Sequence, residues 1–347
     1  MKKISLIILL ITGTAPMLFS QDLFWKAGLF SFFDNNEFSG SSYKISQTMS
    51  GISISPEAGI TWDSVHKVSV GVNLIHEFGS TEAIDRYYPT AFYRYSKNSV
   101  RFIMGAFPRT MMPAGYPRLF IQDSLTYYRP NINGMLLQYG HDKRYINIWL
   151  DWTGRQAERV REAFFVGLSG KYNFGMFWAE HYSSMFHYAS RKDPVFREPL
   201  HDNMLLKTSV GMDLAGKTFF DALEGSAGWV LGLERERIGD AEWISMNGFI
   251  AEIGAEYRFA GIRSSFYAGR GLMHFYNDHE NNLYWGDPVY RAKVYDRTDL
   301  FVNFLRRDNV DLELTWSLHF LEGRVYNEQM LKLRVNLEKS FGSSDRR

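Results

Sequence analysis

The side chains of this chain best suited to chemistry stand in one short run, His181-Tyr182-Ser183-Ser184-Met185-Phe186-His187, where two imidazoles bracket two hydroxyls. An imidazole that takes the proton of a serine hydroxyl makes a nucleophile, provided a third group, commonly an acid, orients the ring. A single strand cannot supply that acid, so the run by itself assigns no catalytic residue. A second group, His274, Asp278, His279 and Glu280, has the donors of a divalent-cation site. Its spacing matches no ligand pattern and a solvated loop tip accounts for it, so no metal and no cofactor is assigned. The Gly-x-Ser-x-Gly elbow, the His-Glu-x-x-His pair and the phosphate-cradling glycine loop with its lysine are all missing. Motifs alone therefore predict a protein that is not an enzyme.

Charge and composition narrow the classes further. The 347 residues carry 39 Lys and Arg against 38 Asp and Glu, which leaves no basic field for nucleic acid. With 16% aromatic residues, 29 glycines, 10 prolines and no cysteine, the chain fits neither a disordered segment, a collagen nor a disulfide scaffold.

The elements that must position these side chains belong to an exported fold. Lys2 and Lys3, the apolar Ile4 to Ile11 and a more polar stretch to Ser20 read as a signal peptide, residues 1–20, ahead of one barrel domain, residues 21–347. The lack of cysteine excludes a lipid anchor on that residue. No apolar run of about 18 residues follows, so crossing a bilayer as helices is excluded. Strands can cross it when one face meets lipid and the other a wet lumen, in segments of about 10 residues with period two.

That pattern is cleanest near the C-terminus. Val310, Leu312, Leu314, Trp316, Leu318 and Phe320 alternate with Asp311, Glu313, Thr315, Ser317 and His319 without a fault. The next segment sets Leu331, Leu333, Val335, Leu337 and Phe341 opposite Lys332, Arg334, Asn336, Glu338 and Ser340, and only Lys339 breaks the apolar face. Weaker repeats bring the total to sixteen candidate strands, starting near residues 23, 47, 66, 87, 99, 126, 144, 160, 174, 204, 225, 244, 262, 298, 309 and 327. Even-numbered connections read as turns, at Asp63-Ser64, Lys97-Asn98, Gly140 to Lys143, Tyr172-Asn173, Ala260-Gly261 and Asp308-Asn309. Odd-numbered ones read as longer loops, from 35–46 to 321–326, and one even connection, Ala215 to Glu224, has room for a short periplasmic helix. A secreted sandwich would also alternate, but it would not keep this parity. Aromatics at strand ends, such as Trp25, Phe33, Trp62, Tyr87, Trp152, Tyr172, Tyr257 and Phe259, suit two interfacial girdles. The predicted fold class is all-β, a transmembrane antiparallel β-barrel of about 16 strands.

In these features, and in a last strand from Lys332 to Phe341 that closes on an aromatic, the chain resembles the porins of the Gram-negative outer membrane. It departs from them in the extension Gly342 to Arg347, because in that family the aromatic is usually the final residue. The resemblance implies the outer membrane of a Gram-negative bacterium, contact with its lipid, passive diffusion of small hydrophilic solutes, a homotrimer, and a channel narrowed by the third external loop.

Projecting the alternation inward sends Arg94, Arg101, Arg109, Arg129, Arg161 and Lys171 into the lumen from strands four to eight. Strands eleven to fifteen send in Glu234, Glu236, Glu252, Glu256, Asp311 and Glu313. Strands half a barrel apart face each other, so the pore would carry a transverse field; the alternative is local neutralisation in a plugged lumen. The third loop, Arg109 to Ser124, is apolar enough to fold into the mouth and leave Tyr116, Arg118 and Asp123 at a constriction. His181 and His187 are expected in the lumen or at its rim. Beside the diffusion channel stand a closed barrel acting as a surface-exposed binding or anchoring protein and, as a minor alternative, a membrane-embedded lipase-like hydrolase.

Overall fold

The computed structural model describes residues 21–341 except 114, 142, 193–197 and 239–240, so the expected signal peptide and the terminal extension lie outside the described residues. The first eight strands are β1 (Gln21–Glu37), β2 (Gln47–Trp62), β3 (His66–Glu77), β4 (Arg86–Lys97), β5 (Val100–Pro108), β6 (Asn131–His141), β7 (Arg144–Gly154) and β8 (Ala163–Phe174). The second eight are β9 (Phe177–Tyr188), β10 (His201–Asp213), β11 (Ala222–Glu236), β12 (Ile244–Tyr257), β13 (Ala260–Gly269), β14 (Val294–Arg307), β15 (Val310–Leu321) and β16 (Arg324–Phe341). Each pairs antiparallel with its sequence neighbours, and β16 closes on β1 from Leu23 opposite Phe341 to Glu37 opposite Asn327. Closure leaves the sheet no free edge strand, the condition for crossing hydrocarbon as strands. Both termini and the short turns share one end, the periplasmic end in barrels of this kind.

Period two decides which way each side chain points. In β15, Leu314, Trp316 and Phe320 are exposed outside, whereas Thr315, Ser317 and His319 are buried in the lumen. The same inversion puts Val70, Ile146, Ile148, Val210, Trp229 and Ile253 on the outer surface, an apolar band that is stable only against lipid.

Local chemistry shifts some boundaries. β6 starts at Asn131 rather than near 126, because Asp123–Tyr128 winds into a short helix. The turns expected at Tyr172-Asn173 and Ala260-Gly261 fall instead at Gly175-Met176 and Arg258-Phe259, where Gly175 and Arg258 adopt φ of 72° and 57°. The connection expected over Ala215 to Glu224 makes turns at 215–221 and no helix, with β11 already under way from Ala222, and the last external loop shrinks to Glu322-Gly323.

Two external connections turn inward. Residues 109–130 and 270–293 bury Leu119, Phe120, Tyr284, Trp285 and Tyr290 against the inward-facing Trp149, Phe165, Phe186, Val230, Ile250 and Tyr267. The two loops join backbone to backbone, since Gln122 N donates to the Trp285 carbonyl at 2.7 Å and Asp287 N to the Arg118 carbonyl at 2.9 Å. Gly286 permits that approach: a Cβ there would lie 2.1 Å from the Leu119 carbonyl oxygen. The outer half of the lumen is consequently a packed core. Towards the periplasm the wall carries Lys171, Glu252, Glu256, Asp311 and Glu313, which stay partly exposed.

Candidate functional site

The basic residues expected in the lumen separate into four environments. Arg94 and Arg101 point inward from β4 and β5, and Arg101 Nη2 donates to the Met111 carbonyl at 2.8 Å. Arg109 is buried; its Nη2 meets Asp151 at 2.6 Å, and its guanidinium and that of Arg129 lie 5.3 and 5.1 Å from the Trp285 ring. Arg161 sits on the connection between β7 and β8, where its Nε donates to the Ala189 carbonyl at 2.7 Å. Lys171 faces inward over Trp178 at 4.4 Å.

The acidic residues are likewise engaged. Glu234 accepts from the Tyr284 hydroxyl at 2.5 Å and from His274 N at 3.0 Å, which ties β11 to the second loop. Glu236 lies 3.7 Å from His201 Nε2. Glu252 meets the buried Lys207 at 2.5 Å, Glu256 pairs with Arg306, and Glu313 meets Arg263 at 3.1 Å. Asp311 faces Arg334 across the β15–β16 ladder.

In the first inward loop the Tyr116 hydroxyl accepts from Trp149 Nε1 at 2.8 Å. Arg118 bridges Asp123 at 2.6 Å and Asp299 at 3.4 Å, and Lys332 also reaches Asp123 at 3.1 Å. Burial opposes ionisation of Asp123, but Arg118 and Lys332 outweigh it and hold the carboxyl well below the ordinary range. His279 packs edge-on against His201 at 4.2 Å, and burial lowers its imidazole, with Arg161 adding to the effect. Among the described residues no three His, Asp or Glu side chains converge to hold a metal.

Of the histidines of β9, expected in the lumen or at its rim, neither faces the lumen. Odd-numbered residues of β9 face outward, so His181, Ser183 and His187 look toward lipid rather than into the lumen, and only His187 is near the external rim. The acid that one strand could not supply comes from the next. Asp202 of β10 stands directly opposite His187 in register, with 3.7 Å from Nδ1 to Oδ1, an electrostatic rather than a hydrogen-bonding distance. Asp202 also accepts from Arg235 Nε at 2.7 Å and from Arg237 Nε at 2.8 Å. The other face of the His187 ring stacks on Phe164 at 4.8 Å, which stacks on Trp152 at 5.1 Å, while Arg235 lies 4.3 Å from the Trp243 ring. Trp152 and Trp243 are exposed and flank the group, the placement of an interfacial aromatic belt.

This outward group combines an imidazole, a carboxylate 3.7 Å from its Nδ1 that favours its charged form, and two guanidiniums suited to an anionic headgroup. Ser183 is four residues away on the same face, about 13 Å at strand rise, and cannot be the partner of His187. His181 Nδ1 instead contacts the Thr208 hydroxyl at 2.8 Å, deeper in the lipid band. Asp202, Arg235 and Arg237 carry no sequence signal, because only strand register brings them to His187.

Residues 15–340 match the family model described as Lipid A 3'-O-deacylase-type. A deacylase is an enzyme, and this match overturns the expectation of a protein without catalytic activity. A search of the curated proteins finds no match. Among solved structures, a loop-deletion mutant of OmpT, an outer membrane protein of Vibrio cholerae, is similar with a TM-score of 0.54 at 10% identity, covering 92% of this chain and 100% of that one. A porin of Rhodopseudomonas blastica gives a TM-score of 0.50 at 11% identity, covering 91% and 100%. The fold is that of the porin-like barrels of the Gram-negative outer membrane.

Proposed function

Because the chain belongs to the Lipid A 3'-O-deacylase-type family, we propose that it hydrolyses an acyl ester of a glycolipid in the outer leaflet, on the outer surface of its barrel. The observation that carries this reading is the outward, in-register His187 and Asp202 at the external rim with Arg235 and Arg237 beside them. The headgroup of such a lipid lies at the depth of the aromatic belt, so its acyl esters come level with His187 while its anionic groups meet the two arginines.

In this scheme His187 Nε2 takes a proton from water as the water oxygen bonds to the ester carbonyl carbon. Asp202 steadies the resulting imidazolium. When the tetrahedral intermediate collapses, the bond to the sugar oxygen breaks and His187 returns the proton to that oxygen. A free fatty acid and a sugar hydroxyl result, so atoms and charge balance. Incubating the purified barrel with lipopolysaccharide and weighing the lipid by mass spectrometry tests the reading. The expected product lacks one acyl chain. His187→Ala is expected to lower the rate at least about a hundredfold, the usual reach of general acid–base catalysis, without loss of the barrel's heat-modifiable gel mobility. Full activity in that variant removes the site.

A second reading, charge-sensitive passive diffusion of small hydrophilic solutes, is favoured by the partly exposed charged wall of the periplasmic half. Conductance steps in a planar bilayer test it, and changing Arg94 and Arg101 to Glu should move the reversal potential toward cation selectivity. The leader at 1–20, the single domain from 21 to 347 and a homotrimer go with both readings as proposals.

A further inference from the structure

The tip of the second inward loop rests on the rim of the barrel through two histidines. His201 opens β10 and is 1% exposed, and neither of its ring nitrogens has a hydrogen-bond partner among the described residues. His279, the last residue of the short helix Tyr276–His279, packs edge-on against it with ring centroids 4.2 Å apart. Phe275 lies 5.4 Å from the His201 ring and Tyr188 5.9 Å from that of His279, so the contact is made of rings alone. Such a contact suits neutral imidazoles. A proton on one ring buries a charge, and protons on both set two like charges side by side.

The charged groups around the pair add to this preference on balance. Arg161, whose guanidinium lies 3.8 Å from the Tyr188 ring, brings a further positive charge. Four carboxylates face the pair as well: Glu236 of β11, 3.7 Å from His201 Nε2, with Asp278, Glu198 and Asp202. Two of them are already engaged, Asp202 by Arg235 and Arg237, and Glu198 by Arg191 at 2.6 Å. At His279, burial and Arg161 outweigh the carboxylates and hold the imidazole below its ordinary value. His274 packs on Phe275 at 4.9 Å and is exposed to water.

The same tip forms one wall of the mouth. Tyr276, Asn277, Glu280 and Asn281 line a cavity of about 400 Å³ together with Tyr43 and Lys44 of the first external loop. Two further ties of the tip, Gln122 Nε2 to Asn281 Oδ1 at 3.0 Å and Arg291 Nη1 to Asn277 Oδ1 at 3.1 Å, are hydrogen bonds that water can replace. Leu272, Met273 and Leu283 on either side of it are buried in the core and fix the base of the loop. We infer that His201 and His279 form a proton-operated latch: neutral, they hold residues 274–282 on the rim, and charged, they release that tip and open the mouth cavity. Because the closed state disfavours the charged rings, it is complete at neutral pH and is lost as pH falls below the ordinary histidine value of about 6.5. The latch does not depend on the ester-hydrolysis reading.

Hydrogen exchange of the full barrel in lipid vesicles, read by mass spectrometry and corrected for the intrinsic pH dependence of exchange, tests the inference. From pH 7.5 to pH 5.0 the protection of residues 274–282 is expected to fall at least about tenfold, while the strands keep theirs. His201→Phe with His279→Phe preserves ring packing without a titratable nitrogen, and should hold that protection within about twofold over the same range. His279→Phe alone should remove most of the response; it alters only the loop and guards against a folding defect in the double variant. Glu234 also holds this loop, through His274 N and the Tyr284 hydroxyl, so Glu234→Gln should keep the tenfold response. His187→Ala should keep it too, which separates the latch from the proposed hydrolase. A tip equally protected at both pH values, a response that survives both phenylalanine variants, or one that Glu234→Gln abolishes overturns the inference.

Discussion

The two halves of the lumen contain the same kinds of charged side chain and use them in opposite ways. In the outer half Arg297 is 4% exposed between Asp299 and Glu328, at 3% and 2%, with Arg118 and Asp123 closing the network against the inward loops. In the periplasmic half Arg263 meets Glu313 while 47% exposed, and Lys26 meets Glu338 with both partners in water. The contacts are equally short, so distance does not distinguish them; solvent does. A buried pair has surrendered the hydration of both ions and depends on its partner, whereas an exposed pair keeps water as a substitute.

Truncation tests this contrast most severely. Arg297→Met leaves Asp299 and Glu328 buried with less positive charge, and is expected to destabilise the barrel by about 3 to 5 kcal/mol in urea unfolding from lipid vesicles. A loss below about 1 kcal/mol would place the network in water and erase the distinction.

Next in size is Gly286→Ala. The added Cβ collides with the Leu119 carbonyl and pries the two loops apart, at a cost of about 1 to 3 kcal/mol. Limited proteolysis of intact vesicles should then cut within 109–130 or 270–293 more quickly, while the wall keeps its heat-modifiable mobility.

Acid sharpens the comparison at one residue. The Asp123 carboxyl is depressed in the folded protein, so the stability it adds is complete above about pH 5 and drains as pH falls through its lowered pKa. Asp123→Asn is expected to loosen the plug at neutral pH and to flatten the acid branch, read as protease sensitivity between about pH 5 and pH 2. An unaltered acid branch in that variant would assign the effect to other carboxylates.

The smallest effect belongs to the periplasmic wall. Arg263→Ala should change stability by about 0 to 1 kcal/mol, because Glu313 simply regains water. A loss comparable with that of Arg297→Met would mean that this half is as dry as the other.

The wall was legible in advance because a strand reports its own faces. Val310 to Phe320 shows period two without reference to any other residue, and the turn chemistry at Asp63-Ser64 or Asp308-Asn309 marks where the chain reverses. Ahead of β6, a local helix over Asp123–Tyr128 takes the place of the extended chain that the pattern predicts. The imidazole of His187 was also visible, but its outward direction and its acid were not.

What the sequence by itself determined, then, is a barrel and the two faces of its most regular strands, such as Val310 to Phe320, since alternation is a property of neighbours along the chain. Only the tertiary structure decided what those faces meet. Asp202 reaches His187 through the β9–β10 register, and a slip of one residue would turn it to the other face. The union of the Arg118 and Trp285 segments depends on two loops meeting inside a wall that must first close. Such pairings join residues distant in sequence, and no local pattern encodes which distant partner will be there.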